Sequence, residues 1–134
     1  MSIQPGLTGE IVHVVTESDT AAQYGSGLVP VLSTPHLIAL MEGASQVAIE
    51  PHLEDGETAV GVHIDMHHLA ATPVGMEVRV QAELVEVDGR RLRFSVEAWD
   101  ETEKVGQAQH ERFVITTARF MKRVEEKRSS GHES

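Results

Sequence analysis

Residues 34–51 read TPHLIALMEGASQVAIEP, and this stretch decides the fold. Thr34 is a good N-cap, and Pro35 suits the first helical position, where its missing N–H would have had no partner anyway. Pro51 stops the pattern, because an interior proline breaks the backbone ladder. Between them run Leu37, Ile38, Ala39, Leu40, Met41, Ala44, Val47, Ala48 and Ile49. Apolar side chains therefore cover most of the circumference, and the spacing predicts a buried helix of about 16 residues, roughly 24 Å long. Glu42 interrupts it. Either its carboxylate is buried, at a cost that raises its pKa, or Glu42, Ser45, Gln46 and Glu50 form a narrow polar stripe facing water. Gly43 weakens the helix and so calls for a reason such as close backbone approach.

Working outward, nearly everything else reads as strand. An apolar run at residues 11–16 comes first, followed by a turn-rich stretch at 17–27 with Gly25 and Gly27 as breakers. Residues 58–69 form the next strand, ending before a turn at Thr72-Pro73. From 76 to 87 the alternation is clean: Met76, Val78, Val80, Ala82 and Leu84 share one face, and Glu77, Arg79, Gln81 and Glu83 the other. Asp88-Gly89 predicts a two-residue hairpin with positive φ at both central positions. The return strand, 90–99, turns Leu92, Phe94, Val96 and Ala98 inward, and a polar turn at 100–103 leads to a last strand reaching about Arg119. One buried helix followed by long antiparallel strands is an α+β layout, packed most economically as a curved antiparallel sheet wrapped around the helix. The whole chain, 1–134, reads as a single domain in which 125–134 is a polar tail, frayed beyond a short helical turn.

Composition narrows the function. The 134 residues carry a formal net charge of -10, which argues against general affinity for nucleic acid or an anionic membrane. Arg90, Arg91 and Arg93, and later Lys122, Arg123, Lys127 and Arg128, are local basic groups whose simplest reading is a solvated surface. No segment is long and apolar enough to cross a bilayer, and the N-terminus lacks a secretory pattern. Cysteine is absent, which excludes disulfides and thiolate chemistry and fits a cytoplasmic protein.

Candidate chemistry sits in three places. On the strand at 60–69, alternation puts Val62, Ile64, Met66 and His68 on one face, so His68 points inward near the strand's end. It is either a catalytic imidazole or a satisfied core histidine. His63, Asp65 and His67 share the opposite face; two imidazoles and a carboxylate are metal-ligand chemistry. Regular strand spacing rarely focuses three such groups on one ion, however, and no metal or other cofactor is expected. Thr34, at a helix N-terminus that favours negative charge, can cap and also serve chemistry.

The segment TPHLIALMEGAS at 34–45, followed by PHLEDGETAVG at 51–61 and HHLAATPVG at 67–75, resembles the fluoroacetyl-CoA thioesterase type of hot-dog-fold protein. DGRRLRF at 88–94 and GQAQHERFVI at 106–115 extend the similarity over roughly residues 8–120. The resemblance implies a hot-dog fold, a homodimer with active sites at its interface, and hydrolysis of a small acyl-CoA without a cofactor. It implies catalytic roles for Thr34, eight residues before Glu42, for Glu42 itself, and for His68, which stands before the small-residue turn and Pro73. It also implies substrate contacts from Arg112, in the HER segment, and from Gly61. One departure stands out: the fluoroacetate-resistance enzymes carry lid phenylalanines before the helix, whereas Tyr24 is the only aromatic residue there. That implies a different acyl group.

Thioester hydrolysis needs an attacking oxygen, an oxyanion site and a proton for the departing thiolate. Glu42 is expected to activate water or attack directly, and His68 to meet it across the thioester carbonyl and manage the proton. Thr34 would hydrogen-bond the carboxylate, substrate or water, with backbone amides holding the oxyanion. Eight helical residues rise about 12 Å, so Thr34 and Glu42 of one straight helix cannot touch. They either flank the substrate or come from two subunits. The alternatives are an acyl-CoA-binding or sensing protein without catalysis, and a hydratase on the same scaffold.

Overall fold

The structure, a computed structural model, describes residues 2–25 and 27–131. Strand β1 (Thr8–Val14) leads through a 3-10 turn (Glu17–Asp19) and a single helical turn, α1 (Ala21–Tyr24), to the long helix α2 (Thr34–Ile49). A second 3-10 turn (Glu50–His52) precedes β2 (Glu57–His68), β3 (Glu77–Asp88), β4 (Arg91–Trp99), β5 (Lys104–Thr116) and the terminal helix α3 (Thr117–Gly131). The five strands form one antiparallel sheet in the order β1-β3-β4-β5-β2.

The sheet curls around α2, as the apolar patterning requires. Leu37, Met41, Ala44, Ala48 and Ile49 of the helix are buried with Val78, Val80, Leu84, Leu92, Phe94 and Val96 of β3 and β4. Fully burying side chains of this size stabilises by about 1.5–3 kcal/mol each. The helix lies mainly over β1 and β3. Gly9 permits that approach: a methyl there would collide with the Ala44 carbonyl and the Ala48 amide of α2. Gly43 answers a similar demand, although what comes close is the Ile11 side chain, 2.8 Å from where a Cβ would sit, and not backbone.

Several local expectations need correction. Ser33, not Thr34, caps α2, its side chain accepting from the His36 amide; Pro35 consequently falls one position further into the first turn. The β3–β4 hairpin turns on Gly89-Arg90, between the paired Asp88 and Arg91, and only Gly89 has positive φ, at 60°. A glycine at the first central position spares the next residue a left-handed conformation. In β2 a bulge between Gly61 and His63 adds one residue, leaving Val62 half exposed while Ile64 and Met66 pack toward the core. β5 ends at Thr116 rather than near Arg119, because α3 begins there. Where a tail frayed beyond a short helical turn is expected from residue 125, the chain remains helical to Gly131; residues 132–134 lie outside the described residues.

α2 is not enclosed on every side. Ala39 is exposed, Val47 is 47% exposed, and Ile38 and Leu40 are only partly covered. The proposed polar stripe is broken as well: Ser45 is fully buried and donates to the Met41 carbonyl, while Gln46 pairs with Glu50 at the surface.

Candidate active site

Two side-chain clusters lie along α2, one at its N-terminus and one near its middle. At its N-terminal end Thr34 Oγ1 is 2.8 Å from His68 Nδ1. The cap by Ser33 leaves the Thr34 hydroxyl free of that duty. The strand alternation after the bulge delivers His68 to the inner face at the last residue of β2. An open cavity of about 370 Å³ adjoins the pair, lined by Val31, Leu32, Thr34, His68, Leu69, Ala70 and Ala71. Burial pulls the His68 pKa below its usual range, a backbone contact with Ala70 pulling weakly the other way. His68 Nε2 is buried without a hydrogen-bond partner among the described residues. A neutral imidazole with one nitrogen held by a hydroxyl and the other unsatisfied is suited to take up or hand over a proton.

At the other cluster, Glu42 Oε2 is 3.9 Å from Arg112 Nη1, and the carboxyl side chain is 43% exposed. Arg112 is buried; its Nη2 donates to the Ala59 carbonyl at 2.9 Å, and its Nη1 lies 3.2 Å from His110 Nε2. Burial lowers the Arg112 pKa against the opposing pull of Glu42. His110 is fully buried, its Nδ1 2.7 Å from the His63 carbonyl oxygen, and burial pushes its pKa down too. Gly61, paired with Arg112 across β2 and β5, makes the room: a Cβ there would sit 2.7 Å from Glu42 Oε2.

The expected meeting of Glu42 with His68 therefore does not occur within one chain. Thr34 and His68 come together, as do Glu42, Gly61 and Arg112, but the two groups are separated by the two turns of helix between residues 34 and 42. His110 was missed in the sequence; its inward place in the alternation with Arg112 was the available signal. The face with His63, Asp65 and His67 does not converge either. His67 and Asp65 form an exposed pair at 3.6 Å that His63 does not join. The basic residues of the β3–β4 hairpin are committed to surface carboxylates: Arg90 to Glu57, Arg91 to Glu111 and Arg93 to Glu86.

A curled five-stranded antiparallel sheet around one helix is shared with known proteins. Residues 15–118 match the family described as fluoroacetyl-CoA-specific thioesterase (FlK). The chain belongs to that family. It is a hot-dog-fold acyl-CoA thioester hydrolase. The fluoroacetyl-CoA thioesterase of Streptantibioticus cattleyicolor is 40% identical over 119 residues, spanning 89% of this chain and 83% of the relative. A solved structure of the fluoroacetyl-CoA thioesterase FlK superposes with a TM-score of 0.88 at 35% identity, covering 95% of this chain and 98% of the other. A Thermus thermophilus hypothetical protein, described as a thioesterase superfamily member, gives 0.91 at 29% identity over 98% of both chains. No helix among the described residues is long and apolar enough to cross a membrane.

Proposed function

We propose that the chain hydrolyses a small acyl-CoA other than fluoroacetyl-CoA, as a cytoplasmic homodimer in which Thr34 and His68 of one subunit work with Glu42 of the other. The observation that carries this reading is the 2.8 Å contact between Thr34 and the half-buried His68 beside an open cavity. Glu42 activates water for attack on the thioester carbonyl. The positive end of α2 stabilises the tetrahedral oxyanion, and the neutral His68 takes up the proton that Glu42 removes from the water and hands it to the departing thiolate. Arg112 holds the Glu42 carboxylate from beneath, and Gly61 leaves the space in which acyl-CoA and carboxylate meet. A relative crystallised with fluoroacetate and CoA supports the substrate class.

Two features support the dimer. Strand β2 stands at the edge of the sheet with Val62 exposed, and such long open edges are normally covered. The uncovered flank of α2 offers apolar surface alongside. A second copy pairing there brings a second Glu42 within reach of Thr34 and His68. The acyl preference rests on Tyr24, whose hydroxyl is engaged with His36 and which does not line the cavity.

Thiol release measured across short, branched and aromatic acyl-CoA substrates tests the activity. Glu42→Gln should abolish turnover while the assembly keeps its size. Mixing Thr34→Ala with Glu42→Gln chains should restore about a quarter of wild-type activity, because half the dimers carry one intact composite site. No rescue would place all three residues in one subunit. Saturable acyl-CoA binding with no thiol release by the wild type would make the protein a sensor.

A further inference from the structure

Away from Glu42 and its partners, three elements converge on another cluster. His13 lies on the inner face of β1, which runs antiparallel to α2: Gly9 lies against Ala44 and Ala48, Ile11 against Gly43, and His13 against His36 in the first helical turn. The 3-10 turn between them supplies Asp19, which is 5% exposed. His13 Nε2 is 2.6 Å from Asp19 Oδ2, and His36 Nε2 is 3.4 Å from Asp19 Oδ1. One ligand atom from each of the three residues lies within 4.8 Å of the others, the only such group of three among the described residues.

We propose that His13, Asp19 and His36 bind a divalent transition-metal ion of the zinc class. Two imidazole nitrogens and one carboxylate oxygen form a donor set that suits zinc, with a fourth position left for water, whereas calcium and magnesium favour oxygen alone. The outer contacts are those of a metal site. Tyr24 Oη lies 2.9 Å from His36 Nδ1 and fixes the ring, and the Thr16 amide donates to Asp19 Oδ2 at 2.8 Å. His36 Nε2 is buried yet makes no hydrogen bond among the described residues, although it faces the carboxylate.

A hydrogen-bonded pair satisfies His13 and Asp19 but leaves that nitrogen orphaned; an ion satisfies all three. Bond lengths of about 2.0–2.2 Å in a tetrahedral shell set neighbouring ligand atoms about 3.4 Å apart. His36 faces Oδ1 at a spacing that already fits, whereas His13 approaches the other oxygen, Oδ2. A small rotation of the carboxylate, as the bridging proton gives way to the ion, sets one oxygen against it with both imidazoles; one ligand atom from each residue already lies within 4.8 Å of the others. Bound there, the ion ties the segment from Thr16 to Tyr24 to the turn of α2 that carries Thr34. It is a clamp beside the Thr34–His68 pair and takes no part in the thioester chemistry.

Tag-free, chelator-treated protein titrated with Zn²⁺ against a chromophoric chelator should take up one tight equivalent per chain. Thermal unfolding with zinc at about a hundred times its dissociation constant should rise by about 5–10 °C. His36→Gln and Asp19→Asn should each lose at least tenfold in affinity and most of that shift, while His67→Ala, on the exposed pair, keeps both. His36→Gln retains the fold even if Asp19→Asn, which also frees the Thr16 amide, does not. Absence of saturable one-to-one binding, or wild-type affinity in His36→Gln, would overturn the assignment, as would loss of binding in His67→Ala.

Discussion

Replacing Gly61 with alanine tests the Glu42 cluster without touching a reactive group. The backbone at Gly61 is not left-handed, so alanine meets no conformational strain there and gains some strand stability over glycine. Its methyl carbon would sit 2.7 Å from Glu42 Oε2, 3.3 Å from His110 Cε1 and 3.4 Å from Arg112 Nη1. Ordinary contact begins at 3.4 Å, so the carboxylate has to retreat by about 0.7 Å while its neighbours stay almost where they are. Glu42 is the free end of a flexible, 43% exposed side chain, so the fold loses little: under about 1 kcal/mol, or about 3 °C in Tm. Catalysis is less forgiving, since a misplacement of about 1 Å costs about 100-fold. The expected result is a fall of about 10- to 100-fold in kcat/KM for thiol release, with the molecular mass in solution and Tm almost unchanged. Full activity would mean that the carboxylate's place beside Gly61 is irrelevant to turnover. Collapse of the fold would mean that the buried His110 and Arg112, not the yielding carboxylate, take up the strain.

The division of labour at the start of α2 gives a paired expectation. Ser33→Ala should cost about 1 kcal/mol of stability by removing the cap, seen as a drop of a few degrees in Tm, whereas Thr34→Ala should leave Tm nearly unchanged and cut kcat about 100-fold by releasing His68; the reverse pattern would return capping to Thr34. For pH, burial depresses the pKa of both His68 and His110 below the ordinary value of about 6.5. The unfolded chain therefore binds more protons than the folded one below about pH 6.5, and stability, complete above that value, declines as pH falls toward the folded pKa values. The acid limb of kcat/KM should accordingly have its midpoint below 6.5; a midpoint at or above it would show that His68 is not desolvated.

Much of the fold was legible in the chain because it rests on short-range rules. The apolar run between two prolines, the two-residue alternation of 76–87 and the turn residues around 88–90 each specify local geometry through neighbours in sequence. Errors arose where two local choices have similar cost. Ser33 and Thr34 are comparable caps, and either register of the Asp88-Gly89-Arg90 turn closes a hairpin. The bulge at Val62 could not be read from alternation, because its extra residue shows only in the pairing with β5.

Which residue types could do chemistry was also written in the sequence: an isolated carboxylate within an apolar helix and an imidazole ending an apolar strand face. Their partners were not. Thr34 meets His68, and Glu42 meets Arg112, because the helix crosses the curled sheet in one particular direction, set by the close approach at Gly9 and by the packing of Leu37 and Met41. The convergence of His13, Asp19 and His36 has the same origin. Three residues spread over two dozen positions become neighbours only when β1 lies antiparallel to the helix, a long-range choice made by the collective burial of apolar surface rather than by any local pattern.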